Sequence, residues 1–168
     1  MVNRHLSPEF SDSLVVFLYQ HTNELINRIL TYSIELKFSL YTSTHREAWR
    51  ASINGLNDVI KDYIENYSVT PEIFCRETGA TDAASAFGIA EARKHFERGV
   101  SLKMFLGLYK YYVWAYLDTL EDFGGSEEEK ALAREFIIKI FSRIEYYLIA
   151  EWISQLQEKA PEGFPAEE

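Results

Sequence analysis

Residues 95–117 of this 168-residue chain read HFERGVSLKMFLGLYKYYVWAYL and give the strongest indication of its fold. Gly99 stands at the end of a helical segment, at the position where a residue with left-handed backbone closes a helix. Ser101 follows as an N-cap, and behind it aromatic and aliphatic residues recur at helical spacing. The stretch therefore predicts a tight corner between two α-helices, the second of them deeply buried.

Similar helix boundaries can be placed on the C-terminal side of this corner and immediately before it. Thr81 is positioned to cap the helix that ends near Arg98, and Ser126 with Glu129 forms a capping box. The capping box predicts a last helix to about Leu156, roughly 45 Å long at 1.5 Å per residue.

The N-terminal half carries three further start signals. Ser7-Pro8-Glu9 predicts a first helix that ends near residues 38–41, and Thr44 with Glu47 predicts a second helix through Tyr67. Thr70-Pro71-Glu72 predicts a short helical turn that contains Phe74 and Cys75. With only 8 Gly and 4 Pro in the chain and no clear strand alternation, the expected fold is all-α, with five to six helices and a long C-terminal helix.

Composition narrows the class of partner. Lys and Arg number 17 against 26 Asp and Glu, a net charge of -9, which argues against nucleic acid and against an anionic membrane surface. A single cysteine, no apolar signal core and no uninterrupted apolar span indicate a cytoplasmic protein without a membrane segment. We expect one folded domain over residues 1–157 and a polar linker or tail toward an output domain over residues 158–168.

The sequence offers little catalytic chemistry. The four histidines, His5, His21, His45 and His95, are scattered, so no metal site is predicted. No glycine-rich phosphate loop is present, and no nucleophile lies beside a base, so we do not expect an enzyme. Cys75, a lone cysteine, is more typical of a small buried apolar residue than of a nucleophile.

The run from His95 to Tyr109 resembles a junction in globin-like bacterial sensor domains, where a helix bearing a histidine turns at a glycine four residues later. In the haem-binding branch, the globin-coupled sensors, His95 would be the proximal iron ligand, with matching residues at Gly99, Val100, Phe105, Leu106 and Gly107. In the branch without haem, found in stressosome proteins and histidine-kinase input domains, a similar corner starts the next helix. Residues 92–93, 98–102 and 105–112 look more like this second branch.

The resemblance implies a globin-like bundle that acts as the N-terminal sensory and dimerisation domain of a bacterial signal-transduction protein without haem, such as a sensor histidine kinase. One alternative is a haem gas sensor that uses His95. The other is a stand-alone interaction adaptor whose acidic surface binds a basic partner. On its helix, His95 lies at the side of the apolar face rather than at its centre.

Two groups of residues carry the expected function. A site for a small apolar ligand would be walled by aromatic side chains: Phe17, Tyr63, Tyr67, Phe105, Tyr109 and Tyr112. The last helix has apolar residues on a second side, which favours a homodimer and transmission of a signal through Tyr146, Ile149, Trp152 and Ile153. A neighbouring helix of the same chain that covers both sides would explain the pattern equally well.

Overall fold

The computed structural model describes residues 4–35, 37, 46–74 and 79–159, and this part of the chain is all-helical, as predicted. Its α-helices are α1 (Pro8–Gln20), α2 (Thr22–Glu35), α3 (Arg46–Tyr67), α4 (Ala83–Glu97), α5 (Leu102–Thr119) and α6 (Glu127–Lys159). A short 3-10 turn over Leu120–Asp122 follows α5. The only β-bridge among the described residues joins His5 to Val69.

The corner predicted at residues 99–101 is confirmed. Gly99 has φ 72°, a left-handed conformation that a residue with a side chain rarely adopts. The Ser101 hydroxyl accepts a hydrogen bond from the Met104 N–H at 3.3 Å and so caps α5. The capping box before α6 is also confirmed, because Ser126 Oγ accepts from Glu129 N and Glu129 Oε2 accepts from Ser126 N.

The single first helix of the prediction is wrong, since the chain turns at His21 and forms α1 and α2. At the break the Thr22 hydroxyl donates to the Tyr19 carbonyl at 2.9 Å, and His21 Nδ1 lies 2.8 Å from the Phe17 carbonyl. Polar side chains that bond nearby carbonyls compete with the helical ladder and bend it. The predicted end of that helix near residues 38–41 and the Thr44 cap lie outside the described residues.

Two other expectations between α3 and α4 need correction. The N-cap of α4 is Asp82 rather than Thr81, and Asp82 forms a reciprocal capping box with Ser85. Residues 70–74, the described part of the predicted turn, are not helical. Thr70 instead pairs with Arg4: its N–H donates to the Arg4 carbonyl, and its hydroxyl oxygen accepts from the Arg4 N–H. Cys75 lies outside the described residues.

The helices α4 and α6 pack against each other more extensively than any other pair of elements. Gly88 allows this approach: a Cβ atom built at residue 88 would lie 2.4 Å from the Ile144 carbonyl oxygen. A glycine inside a helix lowers helix stability relative to alanine, and here it permits close contact between two helices. Side chains centred on Tyr116, Phe136 and Phe141 fill the remaining core.

A buried ion pair fixes the start of α4 to the middle of α6. The Arg143 and Asp82 side chains are each 3% exposed, and Arg143 Nε donates to Asp82 Oδ2 at 2.8 Å. Arg143 also donates to Thr81 Oγ1 and to the Glu72 carbonyl. Since each guanidinium nitrogen of Arg143 donates to a nearby oxygen, this pair orients the loop before α4 as well as the helix itself.

Candidate functional site

A cavity of about 340 Å³ lies where α3, α4, α5 and α6 come together. Its walls are mainly apolar and aromatic, including Trp49, Leu56, Phe87, Phe105, Leu108 and Leu148. Polar groups at its lining come from Ser52, Glu91, Lys94, His95 and Arg98. A mostly apolar concave site with a few polar groups is the usual form of a small-molecule site, and this volume is near the lower end of the range.

Helical spacing explains how the sequence builds this cavity. Phe87, Glu91, Lys94 and His95 lie on one side of α4, where Glu91 is four residues after Phe87 and three and four residues before Lys94 and His95, and Arg98 follows as the C-cap. The corner at Gly99 then turns the chain, and α5 supplies the opposing face through residues 104–112. The first half of α3 contributes a third wall.

His95 is the most distinctive polar group of the site. Its Nδ1 lies 2.9 Å from the carbonyl oxygen of Glu91, one turn earlier on the same helix. A nitrogen so close to a carbonyl must carry the ring proton, which leaves Nε2 as the unprotonated nitrogen in the neutral ring. The ring also packs against Phe105, with centroids 4.4 Å apart.

The environment of His95 favours the neutral imidazole. Burial lowers the pKa of His95 below its ordinary value, and the positive charges of Lys94 and Arg98 act in the same direction. The Glu91 carbonyl and carboxylate oppose the shift without reversing it. Near pH 7 the cavity therefore presents an uncharged ring that can accept a hydrogen bond or ligate a metal.

The hydroxyl groups of Tyr112 and Ser52 form a second polar region of the cavity lining. Tyr112 donates to Ser52 Oγ at 3.2 Å, and burial raises the pKa of Tyr112 to about 12. The phenol therefore stays protonated at all ordinary pH values. It can orient a bound molecule but cannot serve as a base.

The structure brings together four of the residues singled out from the sequence: His95, Phe105, Tyr109 and Tyr112 all line the cavity. It does not bring Phe17, Tyr63 and Tyr67 to the same place. The Phe17 ring packs against Phe123 and His21, and Tyr63 packs against Phe136. Tyr67 is 44% exposed and donates to the Thr81 carbonyl.

The sequence analysis missed the contribution of α3, whose Trp49, Ser52 and Leu56 line the cavity. Their spacing of three and four residues was a readable signal for one helix face. It could not show that this face meets α4 and α5, because that pairing depends on tertiary packing. Phe87 on α4 was missed for the same reason.

The predicted transmission residues divide into surface and interior. Tyr146 and Ile153 are 41% and 47% exposed, and Leu156 and Ile138 of the same helix are exposed as well. Ile149 is half-buried and packs against the cluster of Ala92, Leu148 and Trp152. Trp152 itself is 3% exposed because it packs against Phe96 and Phe105, so it belongs to the interior of the chain.

Within the described ranges, no helix has an apolar segment long enough to cross a membrane. The same part of the chain contains no group of three or more His, Cys, Asp or Glu side chains that could hold a metal ion. The linker expected over residues 158–168 begins inside α6, which continues to Lys159. Residues 160–168 lie outside the described part.

Comparison of the chain with models of known protein families, with curated proteins and with solved structures found no match. The class of protein therefore has to be argued from the cavity and from the helices that surround it.

Proposed function

We propose that this chain is a globin-like sensory and dimerisation domain of a bacterial, cytoplasmic signal-transduction protein, such as the input domain of a sensor histidine kinase. The signal would be a small, mainly apolar molecule held in the cavity without haem. One observation carries the proposal: Ile144 and Leu148 of α6 line the cavity and also lie against Gly88 of α4.

This contact supplies a physical route from the cavity to α6. No side chain separates the two backbones at Gly88, so α4 cannot move toward α6 there without displacing the α6 backbone. Phe87, Glu91 and His95 on α4 also line the cavity. A ligand that displaces these side chains would therefore shift α6, the element that continues toward an output domain.

The exposed face of α6 suits association with a second copy of the chain. Tyr146, Ile149, Ile153 and Leu156 recur at alternating steps of three and four residues, the spacing of a coiled-coil seam. A two-fold axis beside this stripe would pair it with itself, which is the commonest arrangement in soluble homodimers. The stripe is the surface through which a shift of α6 would reach the partner.

The ligand part of the proposal is tested by calorimetric titration with naphthalene-2-methanol, a neutral two-ring probe. Leu108→Trp places an indole inside the cavity and should abolish binding. Val16→Trp adds the same group on α1, at a residue that is 52% exposed and away from the cavity, and should leave binding unchanged. Absence of binding to the unmodified chain, or equal binding to Leu108→Trp, would overturn the ligand role.

Haem binding is the second candidate, and the geometry of His95 favours it. A histidine whose Nδ1 is held by a backbone carbonyl offers Nε2 to a metal, and the lowered pKa keeps that nitrogen unprotonated. The chemistry of His95 fits an axial iron ligand, which haem would require. The cavity, near the lower end of the volumes used for small ligands, does not fit a whole porphyrin without displacement of the surrounding helices.

An absorption titration with haemin separates the two candidates. A sharp, stoichiometric Soret band that His95→Ala loses would favour the haem sensor over the proposal made here. We expect no such band in either protein.

A further inference from the structure

We propose that the ligand of this cavity is an aromatic carboxylic acid, with its rings among the aromatic walls and its carboxylate bound by Arg98. The inference rests on the proposed sensory function and adds the chemical class of the ligand. It follows from two independent properties of the lining, the shape of the walls and the balance of charge.

Flat aromatic surfaces form much of the wall. The rings of Trp49 and Tyr112 are stacked with 25° between their planes, and those of Phe105 and Tyr109 with 19°. All four residues line the cavity, and Phe87 adds a fifth ring. Rings of fixed orientation favour a planar ligand, which gains both buried area and offset stacking, over a flexible chain, which must also be ordered.

The charge of the lining is unbalanced. It contains two cations, Lys94 and Arg98, and one carboxylate, Glu91, while His95 stays neutral. The Glu91 carboxylate lies 3.0 Å from the Lys94 ammonium group, so this pair is satisfied. Arg98 makes no salt bridge or side-chain hydrogen bond within the described ranges.

Arg98 is exposed to solvent at the edge of the cavity, and most other described arginines of this acidic chain are already paired. Arg28, Arg93, Arg134 and Arg143 each bond a carboxylate of the protein itself. A guanidinium group matches a carboxylate through two parallel hydrogen bonds, which a Lys ammonium cannot form. Arg98 at the edge of an aromatic cavity is therefore suited to the acidic group of a ligand.

The test is calorimetric titration of the full chain with three probes: 2-naphthoate, the neutral naphthalene-2-methanol, and dodecanoate as a flexible anion. We expect 2-naphthoate to bind most tightly. Arg98→Gln should weaken its binding about fivefold, the effect of one partly exposed ion pair, and leave the neutral probe unaffected. Arg98→Glu should weaken it further, because the new charge repels the carboxylate.

Lys103→Gln is the matched control, because Lys103 carries the same charge on the first turn of α5 but does not line the cavity. It should leave all three affinities unchanged. Equal binding of 2-naphthoate and its neutral analogue would overturn the claim that the ligand carries an acidic group. Tighter binding of dodecanoate would overturn the claim that the ligand is aromatic. In both cases the cavity would keep its sensory role. Failure of all three probes would overturn both proposals.

Discussion

Gly88 is the residue at which a single methyl group has the largest expected effect. Gly88→Ala would press a Cβ atom against the Ile144 carbonyl oxygen and the Leu148 amide, and backbone atoms cannot yield as a flexible side chain can. We expect a loss of about 2–3 kcal/mol in the free energy of unfolding, measured by urea denaturation.

Gly55→Ala is the control for this prediction, since Gly55 also lies inside a helix. There the nearest atom to a new Cβ is Phe87 Cε2 at 3.7 Å, an ordinary van der Waals contact. The higher helix propensity of Ala should then stabilise the protein by about 0.5–1 kcal/mol. Equal effects at the two glycines would contradict the close α4–α6 contact.

The Asp82–Arg143 pair is the second feature at this scale. Asp82→Asn keeps an oxygen for the α4 cap but leaves Arg143 as a buried, unbalanced charge. We therefore expect the free energy of unfolding to fall by about 3 kcal/mol. The double variant Asp82→Asn with Arg143→Met should lose less of this free energy of unfolding than Asp82→Asn alone, because it no longer contains the unbalanced charge. Urea denaturation of the two single variants and the double variant would measure this coupling, and additive losses would contradict it.

The same pair predicts a response to acid. Burial would raise the pKa of Asp82, but hydrogen bonds from Arg143 and from the Ser85 N–H bring it below its ordinary value. A carboxyl with a lowered folded pKa stabilises the protein above its unfolded pKa of about 3.9 and loses that contribution as pH falls further. Between pH 5 and 3 the unmodified chain should lose more stability than Asp82→Asn, and parallel curves would contradict this assignment.

Residue-scale features of the fold were in part readable from the sequence because they depend on local chemistry. Ser101 and the pair Ser126–Glu129 cap helices through hydrogen bonds to residues three positions away, so their roles follow from spacing. Asp82 caps α4 through Oδ1, while its Oδ2 and the Thr81 hydroxyl both accept hydrogen bonds from Arg143, which is 61 and 62 residues away in the chain. No local pattern contains that information.

At the scale of the elements, α6 has two separate faces. One face buries Ile144, Leu148 and Trp152 in the chain, and the other exposes Tyr146, Ile153 and Leu156. The sequence predicted an apolar excess on this helix and grouped Trp152 with Tyr146, Ile149 and Ile153 as residues of the dimer contact and of signal transmission, whereas Trp152 is 3% exposed. Trp152 packs against Phe96 of α4 and Phe105 of α5 in the interior. These contacts depend on tertiary packing, so the sequence pattern of α6 alone could not predict them.

The exposed face leads to a prediction about association. Ile149→Lys combined with Ile153→Lys places two charges on the stripe and should convert a dimer into a monomer, as measured by sedimentation velocity at micromolar concentrations. Val16→Lys, at an apolar residue of similar exposure on α1, should leave the dimer intact. A dimer that survives the double substitution would remove α6 from the interface.

At the scale of the whole molecule, the cavity lies beside the close α4–α6 contact at Gly88, and the exposed residues of α6 lie on the other side of that helix. Sequence reasoning found the corner, His95 and the aromatic side of α5, which belong to single elements. It did not find the cavity, because the wall from α3 meets α4 and α5 only through tertiary packing. The volume of a cavity between helices depends on how their side chains pack, which hydrophobic periodicity cannot predict.

The proposal that the cavity controls association through α6 is best tested with Leu108→Trp, whose indole mimics an occupied cavity. The measurement is the dimer dissociation constant of this variant and of the unmodified chain by sedimentation equilibrium, with Val16→Trp as the control. Coupling between two sites in one protein is commonly fivefold or more in affinity. We expect Leu108→Trp to shift the dissociation constant by at least about fivefold and Val16→Trp to leave it unchanged. A chain that stays monomeric, or a Leu108→Trp dimer of unchanged affinity, would contradict the proposal that this cavity controls association through α6.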